Sequence, residues 1–83
     1  MNNVVETEKI YWLEAVVCSY IADEKKISNI DAFDLFSKSK THSMLINKNM
    51  KMWYFSPEAI FQIWKVEEET GDPRKSPYIK ENV

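Results

Sequence analysis

The sequence predicts an all-α fold, a small three- to four-helix bundle with an extended C-terminal tail. Three observations carry this. The run IYWLEAVVCSYIA at residues 10–22 has only Glu14 and Ser19 as clearly polar members, and its apolar positions recur at helical spacing. Two later segments open on helix start signals: Ser28 with Asp31 three residues on, and Ser56 followed by Pro57. No Asn-Gly or similar turn joins two alternating apolar runs, so nothing announces a β-hairpin.

In chain order, residues 1–5 lack periodicity and are expected to fray. Thr7 is the expected N-cap of the first helix, with Glu6 and Glu8 near its positive end. Apolar residues at 10, 13, 16, 17, 20 and 21 give its inward face, widened by Trp12 and Ala15. The helix should end at 23–26, where lysines suit the negative end of the dipole. A helix apolar nearly all round has to be covered by other elements. The first helix is therefore expected at the centre, with Trp12, Cys18 and Tyr20 in the core.

Ile27 before the Ser28 cap fits a hydrophobic staple, and Ile30, Phe33, Leu35 and Phe36 supply the apolar face of a second helix of about ten residues. The polar run SKSKTHS at 37–43 is expected to break the chain. Residues 43–52, SMLINKNMKM, read as a short third helix or as a helical turn leading into an extended segment. At 50–55 the alternation fits a strand, but a lone strand has no partner, and a linker that docks its aromatics on the core is the favoured reading. The last helix has the clearest limits. Ser56 is its cap, Pro57 takes the first position, and Glu58 suits the dipole. Ala59, Ile60, Ile63 and Trp64, with Val66 and Glu67, follow at helical spacing. Gly71, the only glycine, stands where a left-handed C-cap is wanted, and Pro73 prevents continuation. The folded core is thus expected over 6–71 of a single domain spanning 1–83. The Pro-containing tail 72–83 either docks on a partner or folds back, with Tyr78 and Ile79 on the domain's own core.

The hydrophobic content of 45% and aromatic content of 13% can fill a compact core, which excludes wholesale disorder. The single cysteine, Cys18, cannot form an internal disulfide, and the opening residues lack the basic-then-apolar order of a signal peptide. The apolar run at 10–22 is too short to span a bilayer. Together these predict a cytoplasmic protein with no membrane association. Charge is unevenly spread: −4 over residues 1–24, +4 over 25–52 and −2 over 53–83.

Chemistry-bearing residues are sparse. A Cys18–His42 dyad would need an exposed, activated thiol, whereas Cys18 lies in the most apolar stretch. Core packing is expected for Cys18 and a surface position for His42. Too few Cys and His residues exist for a zinc site, and no cofactor, metal or catalytic residue is expected. Glu67, Glu68 and Glu69 lie at a helix C-terminus, where acids oppose the dipole. They mark either a site for a basic partner or a solvated end neutralised by Arg74, Lys75 or the middle lysines. Trp53 and Tyr54 are either core or interface. The expected partner-binding set is Trp53, Tyr54, Glu67, Glu68, Glu69, Arg74 and Tyr78. The alternative is a small DNA-associated regulatory module using Lys25, Lys26, Lys38, Lys40, Lys48 and Lys51. Its single arginine and sequence pI of about 5.4 weigh against nucleic acid.

The order KIYWLEAVVCSYIADEKKIS, then NIDAFDLFSKSK, then an aromatic and acidic C-terminal helix resembles the bacterial domain-of-unknown-function family 3791 over about residues 9–66. That family often shows an LHTQ segment before its last helix, where this chain has NKNMKMWYFSPE. The resemblance implies a bacterial accessory protein encoded beside toxin-like ADP-ribosyltransferases, and carries no catalytic residues. The expectation is a small non-enzymatic protein-interaction module, an antitoxin or neutralising partner of a toxin acting by occlusion. Homo-oligomers are compatible with it.

Overall fold

The first helix, α1, spans Asn2–Lys25. It is followed by α2 at Asn29–Ser37, α3 at Lys40–Ile46, two 3-10 turns at Lys48–Met50 and Met52–Tyr54, and α4 at Pro57–Thr70. A third 3-10 turn at Pro73–Lys75 and a short α5 at Pro77–Lys80 complete the order. The computed structural model describes residues 2–80, with side chains from 6 to 79. Expectations for residue 1 and for 81–83 lie outside the described residues. Among the described residues none is in a strand, so the chain is an all-α bundle.

The core is drawn from every major helix. Leu13, Val17 and Ile21 of α1 meet Ala32 and Phe36 of α2, Leu45 of α3, Met52, and Ile60, Ile63 and Trp64 of α4. Burying a Leu, Ile or Val side chain contributes about 1.5–3 kcal/mol, so this cluster is the main source of stability. The molecule measures 37 × 27 × 18 Å along its principal axes. At helix spacings of about 8–10 Å, an 18 Å thickness holds two layers of helices. α1 is covered along Leu13, Val17 and Ile21 and open along Tyr11, Trp12, Ala15 and Ser19. This corrects the expectation of a helix covered all round: Trp12 is 49% and Tyr11 65% exposed, and Tyr20 is half-buried.

Two start signals act as read. Ser28 Oγ accepts from the Asp31 N–H, and Ser56 Oγ from the Ala59 N–H, each at the head of its helix. Gly71 closes α4 at φ 82°, its N–H donating to Glu67 O at 2.7 Å. Other expectations need correcting. α1 starts at Asn2, so Thr7 is interior to the helix and accepts from Lys48 Nζ instead of capping. The polar run at 37–43 holds the start of α3: Ser39, itself buried, accepts from the His42 N–H and donates to Phe36 O. Residues 50–55 are neither strand nor extended linker. They form compact turns because Lys51 takes the left-handed conformation (φ 55°), which sends Met52 into the core and leaves Trp53 and Phe55 half-buried. The stretch 72–80 is not extended. It folds back in short helical turns with Pro73 and Ser76 buried and Ile79 against the core.

Candidate functional site

The residues expected to bind a partner are dispersed and largely engaged. Glu67 reaches across to the head of α3, where its carboxylate accepts from the Lys40 N–H (2.8 Å), the Thr41 N–H (2.9 Å) and the Thr41 hydroxyl (2.7 Å). Helix termini leave backbone N–H groups unpaired, and a carboxylate there also meets the positive end of the dipole. Lys40 answers in the other direction: its ammonium donates to Gly71 O at the end of α4. Glu68 pairs with Lys25 at 3.1 Å, so one of the middle lysines neutralises part of the acidic run, as the solvated-end alternative expects. Arg74 turns onto Asp72, whose carboxyl is held below its usual range chiefly by the Arg74 N–H. Trp53 and Tyr54 lie ring to ring at 5.5 Å with Tyr54 79% exposed, while Tyr78 sits edge-on to Phe55 at 6.3 Å. The structure thus brings Glu67, Gly71, Asp72 and Arg74 to the head of α3, and leaves Tyr54 apart from them.

The central lysines do not line up as a stripe either. Lys25 is on Glu68 and over the Trp64 ring, Lys38 on Asp34, Lys40 on Gly71 O and Lys48 on Thr7. Lys26 and Lys51 occupy the left-handed turns. His42 is not on the surface. Its ring packs edge-on to Phe36 and its Nε2 is bonded to Glu14 Oε2, with both side chains at most 15% exposed. Cys18 is buried as expected, and burial pushes its thiol up to about 11, with the Glu14 charge adding to the effect. A thiol held protonated by burial is not an activated nucleophile.

The site that sequence reasoning missed lies between α1 and α2. A three-residue turn brings α2 back alongside α1, and between them runs a groove of about 320 Å³ lined by Tyr11, Glu14, Ala15, Cys18, Asn29 and Phe33. On α1, Tyr11, Trp12, Ala15 and Ser19 form an exposed stripe at helical spacing. On α2, Ile30 (81% exposed) and Phe33 (50%) flank it, whereas the sequence placed both on the buried face. The reason is geometric. Ala32 and Phe36 take the contact with α1 and the core, and Ile30 and Phe33 lie on the adjoining flank, which no third element reaches. The available signal was the surplus: α2 carries more apolar residues than one face of a nine-residue helix can bury.

The fold and this groove define a class: a small all-α protein with an open aromatic face. No family model, curated protein or solved structure matches the chain. No helix among the described residues is long and apolar enough to cross a membrane.

Proposed function

We propose that the chain is a non-enzymatic protein-interaction module that engages its partner through the α1–α2 face. The observation that carries this is the exposure, on one helical hairpin, of Tyr11, Trp12, Ile30 and Phe33. Large apolar side chains exposed on one hairpin are costly to leave in water, and aromatic side chains dominate the energetics of protein interfaces. A cytoplasmic setting goes with this reading, in line with the single, free cysteine at position 18. The sequence resemblance to a toxin-associated family would make the partner an ADP-ribosyltransferase-like toxin and the mechanism occlusion. The occluding surface would then be the α1–α2 face, since the stretch 72–80 is packed on the domain itself. In the DNA-associated alternative, four of the six lysines are already engaged within the chain. That leaves few for phosphates, and a duplex-binding titration against salt would give a shallow slope.

The test is photo-crosslinking in the native host with a benzophenone amino acid in place of Tyr11, against the same group in place of Gln62 on the exposed side of α4. The expected result is a covalent adduct with a second protein from position 11 and none from position 62. Adducts from position 62 alone, or from neither, would contradict the reading.

A further inference from the structure

The interaction reading above identifies a face; its charge identifies what fits there. Between residues 6 and 37, seven acids stand against three lysines, a net charge of −4 for the hairpin. The apolar stripe is bounded on α1 by Glu8 and Asp23, both exposed, while Asp34 on α2 is paired with Lys38. The groove beside the stripe is lined together by the large rings of Tyr11 and Phe33 and the small Ala15. A groove between two helices, lined by a small residue as well as by rings, accepts the ridge of another helix. From residue 8 to residue 23 the stripe is about 22 Å long at 1.5 Å per residue, the length of four helical turns.

We propose that the occupant of this groove is an amphipathic helix of a partner protein whose apolar ridge sits on Tyr11, Ala15 and Phe33 and whose flanks are basic. Lysines or arginines on those flanks would meet Glu8 and Asp23, which orients the partner and speeds encounter. Pairing of two copies through the same face would oppose two −4 hairpins, so the partner is a different chain. One cation already shows the chemistry at the rim of this face: Lys9 Nζ stands over the Trp12 ring at 5.3 Å.

The experiment uses the full chain and two synthetic amphipathic peptides of one pattern and about 18 residues, ~27 Å as helices, one of leucine and lysine and the other of leucine and glutamate. Binding is read by fluorescence anisotropy against wild type, Ala15→Arg and Gln62→Arg. The two variants change net charge equally, so their difference isolates the groove from general electrostatic attraction. The lysine peptide is expected to bind at least about tenfold tighter than the glutamate peptide. Ala15→Arg should weaken it about tenfold, and Gln62→Arg by less than about twofold. Equal binding of both peptides, equal weakening by both variants, or micromolar self-association of the chain abolished by Ala15→Arg would each overturn the proposal. A lysine peptide that fails to bind while position 11 still crosslinks to a protein overturns the basic helix alone and leaves the interaction reading in place.

Discussion

Replacing Glu67 with alanine should destabilise the domain far more than its position in an acidic run suggests. The carboxylate serves three donors at the head of α3. Lys40 is exposed and its N–H can turn to water. Thr41 is fully buried, so its N–H and hydroxyl lose their acceptor with no solvent to replace it. Each buried donor left unpaired costs about 1–3 kcal/mol, which puts Glu67→Ala at about 3 kcal/mol in total. An 83-residue domain at 0.05–0.15 kcal/mol per residue has about 4–12 kcal/mol of stability, so most of a marginal fold is at stake. With a urea dependence of about 1 kcal/mol per molar for a chain this small, the midpoint should fall by about 3 M. Glu67→Gln keeps one acceptor for Thr41 but turns an amide N–H₂ towards the Lys40 N–H, and should lose about half as much. Glu69→Gln is the control: the residue is exposed at the same helix end, and its loss should stay within about 0.5 kcal/mol or stabilise slightly by relieving the dipole. Equal urea midpoints for Glu67→Ala and Glu69→Gln would refute the capping argument.

Other outcomes follow from single contacts. Val17 is fully buried, so Val17→Asp strands a charge in the core and should abolish cooperative thermal unfolding monitored by circular dichroism. Cys18 should resist iodoacetamide at pH 8, where a thiol near 11 is about one part in a thousand thiolate, and react fully in urea. Its raised value works against the fold in alkali: the stability is complete below the thiol's ordinary value and is lost as pH rises towards 11. The Tyr20 hydroxyl donates to Glu58 at 2.8 Å and holds that carboxyl below its usual range. The associated stability is present above the ordinary glutamate value and lost as pH falls through the lowered one, and Tyr20→Phe should raise the Glu58 titration followed by NMR. Lys51→Gly should stabilise by about 0.5–1 kcal/mol because φ 55° disfavours a side chain, whereas Gly71→Ala at φ 82° should cost about 1 kcal/mol although its Cβ would meet no atom within 4 Å.

What the sequence made legible was local. Ser28, Ser56, Pro57 and Gly71 act through neighbours within four residues, and their roles follow from the chain alone. Ser39 acts in the same way, but the polar residues around it hid a helix start behind an apparent break. The left-handed turns at Lys26 and Lys51 carry neither glycine nor asparagine, so no residue announces them. Long-range pairings were out of reach for another reason. Glu67 and Thr41 are 26 residues apart and Glu14 and His42 are 28 apart, and composition cannot say which polar groups fold onto one another. The α1–α2 face was misread because periodicity shows that residues share a side of a helix, not whether anything covers it. Val17 is core and Ala15 surface because the helices that pack on α1 cover the Val17 side.

Ala15 and Val17 stand two residues apart on α1, and on this account their faces do different work. Partner capture and thermal unfolding measured together for Ala15→Arg test that division directly. The account predicts wild-type unfolding with the partner lost. An unfolded Ala15→Arg, or a folded one that still captures its partner at wild-type strength, would contradict it.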